Sequence, residues 1–204
     1  MGAKDEQGKY QPLSYFQLME VTLRELLVEK GVITEEQVAA EVRAMRERTP
    51  ERGARVVARA WTDLEFKNRL LEDATKACES LGIEIPSLKL IAVENTPQVH
   101  NVIVCTLCSC YPRVLLGIPP DWYKSRNYRS RMVREPRQVL AEFGLEISEK
   151  ITIRVHDSTA DMRYMVLPMR PPGTAGWSAE RLAALVSRNS MIGVSVPKMI
   201  SGAL

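Results

Sequence analysis

The sequence predicts an α+β protein, with a helical N-terminal arm over residues 1–50 and a mixed body over residues 51–204 that carries a cysteine claw loop. Three observations predict it. Before residue 83 the apolar residues recur at three- and four-residue spacing, the period of an amphipathic helix. Beyond it, short runs of branched residues stand between prolines and asparagines, as strands do. One such run leads straight into Cys105-Thr106-Leu107-Cys108-Ser109-Cys110, which holds three of the four cysteines.

The elements follow in order. Residues 15–30 carry Phe16, Met19, Leu23, Leu26 and Leu27 on one helical face, and Gly31 is placed to end that helix. Thr34 with Gln37 three residues on reads as a capping box that opens a second helix, with Val38, Val42 and Met45 on one face. Thr49-Pro50 breaks it. These helices suit an arm that packs on a partner. A helix over 51–61 presents Val56, Val57 and Trp61. A capping box at Thr62-Asp63-Leu64-Glu65 opens one continuous helix to about Leu81, with Cys78 in its core face. Leu88–Val93 and Val99–Val104 read as strands, and the cysteine loop hangs from the end of the second. A helix over 126–143 is kinked near Pro136. Ile151–Val155 and Met162–Leu167 are strands again. Ser178 caps a final helix with Leu182, Leu185 and Val186 inward.

Composition narrows the function. Of 204 residues, 45% are hydrophobic, enough for a real core. Apolar runs fall short of the ~20 residues that span a bilayer. The first residues, with Lys4, Asp5, Glu6 and Lys9, lack a signal-peptide apolar stretch. The expectation is a cytoplasmic protein with no membrane partner. Clustered thiols in a reducing compartment point to metal or redox chemistry rather than a disulfide framework. A net charge of +3 is too mild to imply nucleic acid, and two histidines leave little room for a Ser-His-Asp triad or a histidine-rich metal site.

The cysteine spacing carries chemistry. A thiolate is the metal-binding form of each side chain, and gaps of three and two residues keep all three sulfurs within reach of one ion. Cys108 and Cys110 enclose a single residue. An ion gripped by both is pressed against the backbone nitrogens of Ser109 and Cys110. Three sulfurs and two deprotonated amides leave a sixth position open and suit a small trivalent transition metal. Other readings stand beside this one. A Cys3His zinc site would need His100 as its fourth ligand, making the chain a zinc-binding structural module. A Cys105–Cys108 redox pair would leave Cys110 without a role. Downstream, Lys124, Arg126, Arg129, Arg131, Arg134 and Arg137 form a basic stretch. It is read as a solvated helix face, as phosphate contacts, or as guanidinium groups aimed back at oxidised sulfur.

These segments resemble the alpha subunit of nitrile hydratase. The resemblance rests on Val93-Glu94-Asn95-Thr96, Val104 through Pro112 and Gly117-Ile118-Pro119-Pro120-Asp121-Trp122-Tyr123. It continues in Tyr128-Arg129-Ser130-Arg131, Val133 through Arg137, Gly173-Thr174, Gly176-Trp177 and Met191-Ile192-Gly193-Val194, and spans about residues 15–196. It implies a layered α-β-β-α body behind the arm. Thr106 resembles the cobalt branch, where the iron branch has serine. The implied centre is one low-spin Co(III) per chain. Cys105 would be a thiolate ligand, Cys108 a sulfinate and Cys110 a sulfenate, and the Ser109 and Cys110 amide nitrogens would complete the set. The implied partners are one or more beta-type subunits whose arginines bind the oxidised sulfurs, a cobalt-insertion activator protein and a small-molecule nitrile.

One departure stands out. After Tyr111-Pro112 the chain has Arg113-Val114, where nitrile hydratase alpha subunits carry Trp-Pro. An arginine there resembles the gamma subunit of thiocyanate hydrolase, as do Arg137 through Leu145 and Ile192-Gly193-Val194 through Pro197-Lys198, while Val93-Glu94-Asn95-Thr96 and Val99-His100-Asn101 lean back toward nitrile hydratase. The resemblance therefore implies hydration of a nitrile to its amide, with a substrate such as a bulky heterocyclic nitrile of the nucleoside type (toyocamycin). Thiocyanate is the alternative. Cys110, Ser109 and Arg113 are the residues expected at the chemistry. Cys110 is a source of nucleophilic oxygen in competition with water, Ser109 a hydrogen-bond donor, and Arg113 a group for substrate or a partner carboxylate. Glu94 is read as an orienting residue or a strand-end ion pair, and His100 as structural.

Overall fold

The computed structural model describes residues 2–4, 10–108 and 110–199. It divides into two compact units, Met1–Met45 and Arg46–Leu204. In the first, β1 (Gly2–Lys4) pairs antiparallel with β2 (Tyr10–Pro12), a pairing that the sequence patterns do not reveal. Helix α1 (Tyr15–Glu29) opens on a capping box between Ser14 and Gln17. Helix α2 (Glu35–Glu47) opens on the expected box between Thr34 and Gln37. Gly31 takes the left-handed conformation, at φ 68°, that ends α1. No described residue of either helix is buried, and Phe16, Met19, Leu23 and Leu26 lie exposed.

The second unit begins with α3 (Glu51–Thr62), α4 (Leu64–Glu72) and α5 (Ala74–Glu79). The single helix expected over 62–81 is two helices. Asp73 is extended, at φ −145°, and its carboxylate accepts from Lys76 N at 3.1 Å. A side chain that satisfies a free backbone N–H starts a new helix as readily as it continues an old one. The cap of α4 is Asp63, accepting from Phe66 N at 2.9 Å, rather than Thr62.

Strands β3 (Lys89–Glu94) and β4 (Val99–Val104) follow. Short helices α6 (Arg113–Leu116), α7 (Asp121–Lys124), α8 (Arg126–Met132) and α9 (Pro136–Glu142) lead to β5 (Thr152–Asp157) and β6 (Met162–Leu167). Helices α10 (Ala179–Ala183) and α11 (Arg188–Ile192) follow. The helix expected over 126–143 breaks completely, with Pro136 as the first residue of α9, where its missing N–H costs nothing. Helix α11 was not expected. Ser187 caps it reciprocally with Ser190.

Parallel pairing sets the layers. β3 runs beside β6, from Lys89 opposite Met162 to Glu94 opposite Leu167. β4 runs beside β5, from Val99 opposite Thr152 to Val104 opposite Asp157. β4 meets β6, so the two sheets adjoin. Helices α4 and α5 cover β3, and α9 lies against β5. This is the layered α-β-β-α body expected. Parallel sheets are covered on both faces, which is why His100 to Val104 are all buried. An aromatic cluster fills the space by α7 and α8. Trp122 lies 4.7 Å from Phe143 and 4.9 Å from Tyr128, centroid to centroid, in edge contacts.

Candidate metal centre

Strand β4 delivers Cys105, fully buried, to the start of the loop. Ser158 N donates to Val104 O at 2.8 Å and extends the β4–β5 pairing to the end of the strand. The Asp157 carboxylate then accepts from Thr106 N at 2.9 Å and from the Thr106 hydroxyl. Because both donors reach one charged acceptor, the first residue of the loop is fixed to the neighbouring strand. The chain turns back, and Cys108 N donates to Cys105 Sγ at 3.3 Å.

That turn brings the sulfurs together. Cys105 Sγ lies 3.4 Å from Cys108 Sγ, which lies 3.0 Å from Cys110 Sγ. All three fall within 4.8 Å of one another. Two further contacts hold the loop by its carbonyls. Arg129 Nη1 donates to Cys108 O at 2.7 Å, and the Tyr123 hydroxyl donates to Cys110 O at 3.0 Å. Burial, then the Cys108 thiol, pushes the Cys110 thiol up to about 12, while the Arg163 guanidinium works the other way.

The donor set fits a thiolate-binding transition metal, and no other histidine, cysteine or carboxylate among the described residues joins it. A fourth zinc ligand is not supplied by His100. Its Nε2 is 2.7 Å from Gly193 O and its Nδ1 3.3 Å from Asn95 Nδ2, so both nitrogens are in use. Nor does the loop resemble a redox pair at a helix start, since among the described residues no helix opens between Cys105 and Arg113.

The expected site residues fall as follows. Cys105, Cys108 and Cys110 come together, and Ser109 lies outside the described residues. Arg113 begins α6 and is exposed, with no guanidinium hydrogen bond to the cysteines among the described residues. Glu94 forms an ion pair with Lys67, the strand-end reading. Of the basic stretch, Arg129 turns to the loop, and it meets a carbonyl rather than a sulfur. Arg131 pairs with Glu135 and Glu142, and Arg137 holds the carbonyls of Ile147, Ser148 and Ile151. Asp157 and Tyr123 escaped the sequence reading. The signal for Asp157 was strand register, which needs the partner strand to be known.

A family model described as "Nitrile hydratase, alpha chain" matches residues 14–195. The cobalt-containing nitrile hydratase subunit alpha of Pseudonocardia thermophila is 52% identical over 182 residues, covering 87% of this chain and 89% of the relative. The thiocyanate hydrolase subunit gamma of Thiobacillus thioparus is 43% identical over 198 residues, covering 91% and 82%. A solved structure of a mutant Fe-type nitrile hydratase from Comamonas testosteroni superposes with a TM-score of 0.88 at 44% identity, covering 93% of this chain and 96% of that one. Similarity over nearly the whole chain, centred on a loop whose three thiols converge, has one meaning: the chain belongs to the nitrile hydratase alpha-chain family.

Proposed function

We propose that this chain is the metal-binding alpha subunit of a nitrile hydratase, adding water across a carbon–nitrogen triple bond to give an amide. The observation that carries this is the convergence of Cys105, Cys108 and Cys110 at the end of β4. Those three sulfurs would hold one cobalt ion, joined by the Ser109 and Cys110 amide nitrogens. Bound there in the trivalent state, cobalt would supply a Lewis acid that polarises the triple bond.

The chain's own part is to fix the ligands and to offer oxygen. Asp157, Arg129 and Tyr123 grip the loop at Thr106, Cys108 and Cys110. Outer partners of this kind orient the ligands and tune their basicity. With Cys108 as sulfinate and Cys110 as sulfenate, the Cys110 oxygen would be one nucleophile for the nitrile carbon, and water would be the other. Ser109 would donate a hydrogen bond to this oxygen chemistry. Arg113 would bind substrate or a partner carboxylate, and an arginine in place of an indole would suit a substrate larger or more polar than a simple nitrile. A bulky heterocyclic nitrile is such a substrate. A beta-type subunit would complete the site and supply arginines to the oxidised sulfurs, and an activator protein would insert the cobalt.

Metal analysis with the intact mass of the peptide spanning 105–110 tests this. One cobalt per chain, a sulfinate on Cys108 and a sulfenate on Cys110 are expected. Replacing any of the three cysteines by Ala should abolish hydration, and wild-type turnover in one such variant would sink the assignment. The presence of an arginine at position 113, as the resemblance to thiocyanate hydrolase gamma subunits implies, also favours a second reading, a subunit of that type. Turnover of thiocyanate but not of nitriles by the cobalt-loaded complex would establish that one.

A further inference from the structure

Arg129 meets the cysteine loop at a chemically particular oxygen. Its Nη1 donates to Cys108 O at 2.7 Å, a short charge-assisted bond. Cys108 O belongs to the peptide bond that joins Cys108 to Ser109, and the Ser109 nitrogen is one of the two amide ligands proposed above. In a peptide bond the carbonyl oxygen and the nitrogen share one delocalised π system. A positive charge held at that oxygen therefore draws electron density from that nitrogen. Tyr123 offers a contrast within the same loop. Its hydroxyl holds Cys110 O at 3.0 Å, and that carbonyl belongs to the peptide bond of Tyr111, whose nitrogen is not a proposed ligand. Burial keeps the phenol neutral, so this second contact brings no charge.

The Arg129 charge is uncompensated and firmly seated. Within the basic stretch, Arg131 is paired with Glu135 and Glu142, and Arg137 with Glu149. Arg129 has no carboxylate partner among the described residues, and its buried Nε has no hydrogen-bond partner there either. The residue before it is the anchor. Tyr128 is buried and donates to Ile103 O at 2.7 Å, which docks α8 on β4 two residues before Cys105. Arg129 thus reaches the loop from a helix fixed to the strand that carries the loop. We propose that Arg129 is a positioning residue for the metal centre. Its guanidinium fixes the Cys108–Ser109 peptide and, through it, makes the Ser109 nitrogen a weaker donor and the bound ion a stronger Lewis acid. Partners outside the ligand set tune a metal in this way. Asp157 and Tyr123 give the loop its shape, and Arg129 adds charge to shape.

This role rests on the cobalt reading above, and the test separates the two. Wild type, Arg129→Gln, Arg129→Lys and Tyr123→Phe are prepared with the beta-type partner and supplied with cobalt. The readouts are cobalt per chain, the reduction potential of the bound cobalt, and the Tm of each metal-free complex. Arg129→Gln keeps a donor and removes the charge. Its potential should move to more negative values, because a more electron-rich nitrogen favours the higher oxidation state. Arg129→Lys keeps the charge and should stay near wild type. Tyr123→Phe removes a neutral bond and should leave the potential in place. At equal cobalt content, an unmoved potential in Arg129→Gln overturns the role. An equal shift in Arg129→Lys or in Tyr123→Phe also overturns it, since loop shape rather than charge would then be the cause. Lost loading in Arg129→Gln supports the role if Arg129→Lys recovers the cobalt and the metal-free Tm holds. Lost loading that Arg129→Lys leaves uncorrected, or that comes with a lowered metal-free Tm, marks a folding role and overturns it. A wild-type complex that takes up no cobalt overturns the metal reading, and this role with it.

Discussion

Asp157 holds the loop through two acceptors on one carboxylate, and an amide offers only one. Asp157→Asn should therefore loosen Thr106 and weaken cobalt retention by about tenfold, read as cobalt per chain after competition with a chelator. The Thr106 contact is exposed, so metal-free stability should change by less than about 1 kcal/mol. His100 makes a prediction of a different kind. Gly193 O can only accept, so His100 Nε2 carries the proton and Nδ1 accepts from Asn95. The ring is neutral, and burial holds its pKa below the ordinary value of 6.5. Below that value the unfolded chain takes up a proton that the folded chain refuses. Stability is therefore full above about pH 6.5 and declines as pH falls toward the folded value, by at most about 1.4 kcal/mol per unit. His156, lowered by burial and then by Arg154, adds in the same direction. Unfolding followed from about pH 7.5 to 5.5 should show the decline, and His100→Gln should reduce its slope without removing it.

Elements are joined in this fold at points of close backbone approach, and Gly193 is the tightest. It ends α11 at φ 95°, a left-handed conformation. A Cβ there would stand 2.1 Å from Asn101 O and 2.8 Å from Val102 Cα, both backbone atoms of β4. Neither side can move without opening the strand that leads to the cysteines. Gly193→Ala should cost about 4 kcal/mol or more, measured by urea unfolding. It should also disturb the His100 contact with Gly193 O. The network is continuous from here: Asn95 Oδ1 accepts from Asn101 N at 2.7 Å, and Asn101 Oδ1 lies 2.8 Å from His156 Nε2. It ties α11, the β3–β4 turn, β4 and β5 together with buried polar contacts that a one-dimensional pattern cannot display. Other element ends were plainer. The strand limits Val99–Val104 and Met162–Leu167 match those read from branched residues and flanking breakers. Asp73 and Pro136 mark breaks that the apolar period runs across, because periodicity reports burial and not backbone continuity.

At the scale of the whole molecule, the first unit presents an apolar face. Leu23 and Leu26 of α1 are 58% and 43% exposed, and Phe16 is 80% exposed. A large apolar face left open suits an obligate partner, as the proposed beta-type subunit would be. Burying one leucine is worth about 1.5–3 kcal/mol. Leu23→Asp with Leu26→Asp should therefore weaken assembly with that partner by well over about tenfold and leave the unfolding of the second unit unchanged. Sedimentation of the complex would show the first effect and calorimetry the second. Much of this was legible in the residues. Helical spacing, branched runs and the cysteine hexapeptide together determined the α+β class, the arm helices, the strands and the three sulfurs of the claw, because each is encoded within a few neighbouring positions. The tertiary structure alone decided that Asp157 grips Thr106. It alone showed Arg129 reaching a carbonyl and His100 spent on Gly193 rather than on a metal. Those contacts join residues 21 to 93 positions apart, and only the parallel register of β4 on β5 and the folding of α8 and α11 over β4 bring them within bonding distance.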